Sequence, residues 1–119
     1  RVGNDERSEV MNVIGDVEGK IALTFDDEID TGGTIANAAR VLAEKGVKEV
    51  YCCVTHPVFS NNAVDVMAKS AFREVVVSDT IPMPHEKRNG KITVLPVAPL
   101  LGEAIYRIHK GLSVGEMFN

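Results

Sequence analysis

The chain has 119 residues, 45% hydrophobic and 25% charged, a composition that fits one ordinary globular domain with a single core. Its net charge is −4 and its basic residues are scattered, so it lacks the cationic stripe that grips a nucleic-acid backbone. No run approaches the roughly 18 apolar residues of a membrane span, and the first residues lack the basic-then-apolar layout of a secretory signal.

The expectation is a soluble, cytoplasmic chain with neither nucleic acid nor membrane as partner. Cys52 and Cys53 are adjacent in an apolar stretch. Neighbours on a strand point to opposite faces, which argues against a disulfide between them and for free thiols in a reducing compartment.

Arg1 to Glu9 is polar, contains Gly3 and Asn4 and has no clear period, the pattern of a loop or flexible entry segment. Val10 to Ile14 reads as a short strand, and Gly15-Asp16-Val17-Glu18-Gly19 supplies turn residues for a hairpin. Ile21 to Phe25 is short and mostly apolar, as expected of a strand buried on both faces of a parallel sheet. From Thr34, the residues Ile35, Ala38, Ala39, Leu42 and Ala43 recur at helical spacing, and Gly46 after Lys45 supplies the stop.

Glu49 to Thr55 reads as a second strand whose extension Pro57 blocks. Ala63, Val66, Met67 and Ala71 mark a second helix, with Ser60 or an asparagine as its cap. A strand follows at Glu74 to Ser78. A proline-containing charged loop runs on to Arg88, and the Asn89-Gly90 turn precedes a strand at Ile92 to Leu95. Leu101, Ala104, Ile105 and Ile108 define a last helix ending near Gly111. Strands alternating with helices predict an α/β fold with a mostly parallel sheet flanked by helices, and ligands collect at the carboxyl ends of such strands.

One dense polar block lies at such an end: Phe25-Asp26-Asp27-Glu28-Ile29-Asp30-Thr31-Gly32-Gly33-Thr34. Gly32 and Gly33 let backbone approach a ligand without a Cβ in the way, and successive N–H groups opening a helix attract an anion. Thr31 and Thr34 add hydroxyl donors, so the four residues are equipped for a phosphate monoester without a lysine. Asp26, Asp27 and Asp30 can accept from the two hydroxyls of a vicinal diol and can reach Mg2+ directly or through its waters. A phosphate cradle beside diol-reading carboxylates describes a site for a sugar phosphate such as ribose 5-phosphate. Glu28 adds a negative charge beside an anionic ligand and is therefore expected to face solvent.

Simpler explanations exist for each residue taken singly. Acidic residues before a helix favour its dipole, and Thr-Gly-Gly-Thr can be only a tight loop. A strand ending in acid also occurs in P-loop nucleotide hydrolases, but no G-x-x-x-x-G-K-[ST] is present. Asp-Asp-x-x-Asp can hold magnesium diphosphate on a helix, but glycines interrupt a helix here at once. His56 after the second strand reads as a structural hydrogen-bonding residue. His85 lies in a charged loop, and His109 lies where a partly cationic ring suits a helix end. Cys53 has no evident activating base.

The block Asp26 to Thr34 resembles the phosphoribosyl pyrophosphate signature shared by type I phosphoribosyltransferases and ribose-phosphate pyrophosphokinases. The flanking text is similar to the pyrophosphokinases: Val10 to Asp16, Lys48 to Tyr51, Thr55-His56-Pro57-Val58, Asp79-Thr80-Ile81-Pro82, Val97 to Leu101 through Glu103-Ala104-Ile105, and Ser113-Val114 with Phe118. Glu28 departs from that pattern, standing where the family commonly has an apolar residue. The resemblance implies a phosphoribosyltransferase-like (Rossmann-like) domain over 1–119, as the C-terminal ribose-phosphate-binding part of an oligomer. Upstream strands and an N-terminal domain would lie outside this sequence.

It also implies that Asp26 binds the ribose hydroxyls, that Asp30, Thr31, Gly32, Gly33 and Thr34 hold the 5-phosphate, and that Asp27 meets the sugar or a magnesium-bound water. Arg1 would be the last residue of a basic catalytic-loop segment. The implied reaction is pyrophosphoryl transfer from magnesium ATP to C1 of ribose 5-phosphate, with the chain inactive alone. A phosphoribosyltransferase fragment and a non-catalytic regulatory homologue are the alternatives.

Overall fold

Stretches rich in valine and isoleucine form the strands because β-branched side chains pack well on a pleated surface. The computed structural model describes residues 12–119. It places β1 at Ile21–Ile29, α1 at Gly33–Glu44, β2 at Glu49–Pro57, α2 at Ala63–Lys69, β3 at Glu74–Ser78, β4 at Ile92–Leu95 and α3 at Ala98–Lys110. Short 3-10 turns occupy His85–Lys87 and Gly115–Phe118. The four strands form one sheet in the order β1-β2-β3-β4, and every neighbouring pair is parallel. This is the α/β architecture expected from the alternation of elements.

That strand order decides where the core lies. Right-handed crossovers that step in one direction carry every connection over the same face of the sheet. Helix α1 packs on β2 and on α2, and the buried cluster beneath them joins Val50, Cys52, Val54, Val75, Val77 and Ile92 of the sheet to Ala39, Met67 and Phe72. The opposite face is uncovered among the described residues. Phe25 pairs with Cys53 and Cys53 with Val76 in register, yet Ile21, Leu23, Phe25 and Leu95 are all exposed.

The expectation that β1 is buried on both faces is therefore wrong for this chain. Among the described residues β1 is an edge strand with one bare face, because no strand-order reversal sends a helix to that side. The strand is also longer than predicted and runs through Asp26, Asp27 and Glu28 to Ile29. Pro57 does not stop β2 early; it is the last strand residue and pairs with Ile29.

Of the predicted strand at Val10 to Ile14, Val10 and Met11 lie outside the described residues, while Asn12 to Ile14 form no strand. Asn62 stands at the cap position of α2 but makes no side-chain capping bond. The boundaries of β3 and β4 match the predicted ones. Gly111 closes α3 in the left-handed conformation at φ 70°, as a helix-terminating glycine should.

Helix α3 is amphipathic, as read from its periodicity, but none of its residues is buried. Leu101, Ile105 and Ile108 on one stripe remain exposed. Its last turn is held by Arg107, which pairs with Glu103 at 2.8 Å and donates to the Ser113 carbonyl at 3.0 Å. Phe118 near the end of the chain is exposed. Cys52 and Cys53 are free thiols, and burial pushes the Cys52 thiol above its ordinary pKa. No helix among the described residues is long and apolar enough to cross a membrane.

Candidate functional site

The acidic block and the glycine loop meet at the carboxyl end of β1. Asp26, Asp27 and Glu28 lie within the strand, and Asp30 and Thr31 make the turn into α1. Asp26, Asp27, Glu28, Asp30, Thr31, Gly33 and Thr34 are exposed, whereas Gly32 is buried. Glu28 thus faces solvent as expected.

Gly32 adopts φ 86° and ψ −7° and caps α1. Its carbonyl accepts the first helical bond, from Ala36 N–H at 2.9 Å. No side chain caps α1, so the amides of its first turn are left without the usual side-chain acceptor. Together with the aligned peptide dipoles, they give the Thr31–Thr34 turn a partial positive charge that attracts anions. A Cβ on Gly32 would come within 2.9 Å of the Met67 Cε, whereas one on Gly33 would meet nothing within 4 Å. Gly32 is therefore required by the fold, and Gly33 leaves open space over the turn.

The turn is braced from β2. The loop after that strand donates from Phe59 N–H to the Ile29 carbonyl at 3.0 Å and from Ser60 N–H to the Asp30 carbonyl at 2.9 Å. Phe59 and Asn61 take positive φ, 48° and 54°. This backbone conformation is costly for a bulky side chain and persists where its surroundings hold it. No residue pattern announces this clasp, since backbone donors leave no residue signature.

The carboxylates interact with one another. The Asp27 amide donates to Asp26 Oδ1 at 2.8 Å. A hydrogen bond with the Asp26 carboxyl, then the amides of Asp27 and Glu28, and more weakly the His56 ring, hold the Asp27 carboxyl below the usual carboxylate range. The folded state thus favours ionised Asp27. The resulting stabilisation is present above the unfolded value of about 3.9 and is lost as pH falls through the lower folded one. A carbon-detected NMR titration is expected to place the Asp27 midpoint below that of an unperturbed aspartate; a midpoint at or above it contradicts this geometry.

His56 stands opposite Glu28 in the β1–β2 register and bonds through Nδ1 to Thr80 Oγ1 at 2.8 Å, so its hydrogen-bonding role is present. Among the described residues no three His, Cys, Asp or Glu side chains converge as a metal cage. A concavity of about 450 Å³ lies on the bare sheet face between Phe25, Asp26, Cys53, Val76 and Leu95. Its walls are mostly apolar and include none of Thr31 to Thr34, while Asp26 borders it on the side of the acidic block. Arg1 lies outside the described residues.

The profile of the phosphoribosyl synthetase-associated domain matches residues 4–119. The chain belongs to this family. Ribose-phosphate pyrophosphokinases are close relatives: the protein of Gloeobacter violaceus is 56% identical over 110 residues, covering 92% of this chain and 33% of that protein. The protein of Oceanobacillus iheyensis is 53% identical over 112 residues, covering 94% and 35%. The crystal structure of phosphoribosylpyrophosphate synthetase from Mycobacterium smegmatis matches with a TM-score of 0.78 and 44% identity, over 82% of this chain and 33% of that one. The chain thus spans about a third of the length of these synthetase-family relatives.

Proposed function

We propose that the Asp26–Thr34 segment binds ribose 5-phosphate for a ribose-phosphate pyrophosphokinase, the activity by which the relatives are named. The observation that carries this reading is the uncapped first turn of α1 behind an exposed Thr31–Thr34 loop, directly adjoining a row of carboxylates on β1. Amides and hydroxyls of Thr31, Gly32, Gly33 and Thr34 hold the phosphate, and Asp30 orients the turn from which they project. Asp26 reads the ribose diol: one of its oxygens serves the Asp27 amide, and a carboxylate has further lone pairs with which to accept.

In the longer protein the sugar's C1 hydroxyl attacks the β-phosphorus of ATP, a bond forms from that oxygen to phosphorus, and AMP leaves. This segment contributes by placing the attacking hydroxyl. Magnesium suits the donor set as an ion carried with the nucleotide, since Mg2+ keeps most of its waters and uses only one or two carboxylates. Asp27, exposed and held ionised, would take one of those waters, and the ion would neutralise phosphate charge. Arg1 would belong to the catalytic loop, and the working protein would be a cytoplasmic homo-oligomer.

The test is titration of the longer protein with ribose 5-phosphate while following backbone amides. Shifts centred on Thr31 to Thr34, together with an affinity loss of about tenfold or more in Asp26→Ala, are expected from the loss of a hydrogen bond to a charged group. Unmoved amides across that turn would falsify the assignment.

A further inference from the structure

The carbonyls of Ile29 and Asp30, which lead into the glycine turn, are held by a loop. Ile29 pairs with Pro57 at the end of the β1–β2 ladder, and a proline has no N–H with which to continue it. The residues beyond Pro57 supply donors in its place: Phe59 N–H reaches the Ile29 carbonyl at 3.0 Å, and Ser60 N–H reaches the Asp30 carbonyl at 2.9 Å. Bringing two successive amides back onto β1 takes the left-handed backbone of Phe59, at φ 48°, and Asn61, at φ 54°. Such a conformation persists only where its surroundings hold it. The Phe59 ring packs against the core cluster, and the Ser60 carbonyl accepts from Ala63 N–H at 3.1 Å, which ties the far end of the loop to α2.

This clasp has a direction. In a planar trans peptide the C=O and the following N–H point opposite ways, and no peptide bond among the described residues is cis. Fixing the Asp30 carbonyl toward Ser60 therefore aims the Thr31 N–H away from the loop. Among the described residues no group accepts from that amide. Released from Ser60, the same peptide could turn its oxygen toward the ligand, where it would repel a phosphate. We propose that Phe59 is a positioning residue for the sugar-phosphate site: its ring anchors the left-handed loop whose amides set the Asp30–Thr31 peptide and so the Thr31 donor. The proposal rests on the function assigned above and extends it to a loop that needs no contact with the ligand.

The test uses the longer protein and calorimetric affinities for ribose 5-phosphate, with ATP affinity and thermal midpoint as controls. Phe59→Ala removes the anchor and is expected to weaken the sugar phosphate by about 3- to 10-fold, the range of one net hydrogen bond, without a parallel change for ATP. Phe59→Leu keeps an apolar anchor and should stay within about twofold of the unaltered protein. Asn61 is exposed, so its variants probe the loop without opening the core. Asn61→Val, whose branched side chain resists a positive φ, should reproduce the Phe59→Ala loss, whereas Asn61→Gly should not. Ile92→Ala separates positioning from general loosening: it empties a core position on β4, at the opposite edge of the sheet from β1. It should lower the thermal midpoint yet leave sugar affinity within about twofold.

Unchanged sugar affinity in Phe59→Ala and Asn61→Val, equal losses for ATP, or a loss in Ile92→Ala matching that of Phe59→Ala would each overturn the proposal. Absence of sugar binding by the unaltered protein would instead bring down the parent assignment and the proposal with it.

Discussion

Truncating Phe72 to alanine is expected to cost about 3–5 kcal/mol, the range for deleting a fully buried aromatic ring. Among the described residues Phe72 heads the fully buried side chains by volume, and it sits in the cluster that joins the helical layer to the sheet. Its segment is fixed on both sides, by the Ser70 hydroxyl accepting from the Phe72 amide at 3.3 Å and by Arg73 N–H donating to the Val50 carbonyl at 2.8 Å. The surrounding structure therefore cannot collapse to fill the void.

Domains of this kind are stable by only about 5–15 kcal/mol, and one with an uncovered sheet face belongs near the lower end. The loss should appear in urea or thermal unfolding followed by circular dichroism as a fall in midpoint of roughly 15 °C or more. A loss under about 1 kcal/mol would mean that Phe72 does not occupy the core described.

The second large effect belongs to Gly32. Gly32→Ala places a side chain at φ 86°, which costs about 1–2 kcal/mol in the left-handed region. Its Cβ would also crowd the fully buried Met67 at 2.9 Å. The methyl end of a methionine can move, but inside a packed cluster it moves at the expense of its neighbours, so about 2–3 kcal/mol in total is expected. Relief by lifting the turn away from α2 would shift the amides of α1's first turn, and ribose 5-phosphate binding should fall with stability. Gly33→Ala has open space around its Cβ and should leave the thermal midpoint within a few degrees, so that any binding loss reports contact with ligand. Equal destabilisation by the two substitutions would contradict the different roles of the glycines.

Much of this was legible in the residues. The helical recurrence of Ile35, Ala39 and Leu42, the Val-rich run at Glu74–Ser78 and the Asn89-Gly90 turn fixed their elements to within a residue or two, because local periodicity and turn chemistry both pointed the same way. The acidic block and its glycines likewise stood together in sequence and remain together in space. What could not be read was long-range. An apolar run such as Ile21–Phe25 looks alike whether one face or both are covered, since cover depends on strand order and on what else packs there. The Phe59 and Ser60 clasp and the His56–Thr80 hydrogen bond join segments distant in the chain through main-chain atoms and a common hydroxyl, for which no residue pattern exists. Helix α3 shows the same limit: its apolar stripe predicted burial, and its position supplies none.

The one-directional winding of the strands has a practical consequence for work with this segment by itself. Oil-like side chains of β1 and β4 lie open to water on the side away from α1 and α2, and α3 adds a second greasy stripe. A fluorescent dye that seeks such surfaces, such as anilinonaphthalene sulfonate, should brighten in the presence of the natively folded chain and not only during its unfolding. Light scattering should rise with protein concentration for the same reason. Sugar titrations on the segment in isolation would then report clumping before recognition, and a folded chain that leaves the dye dark would show that the face is closed in solution.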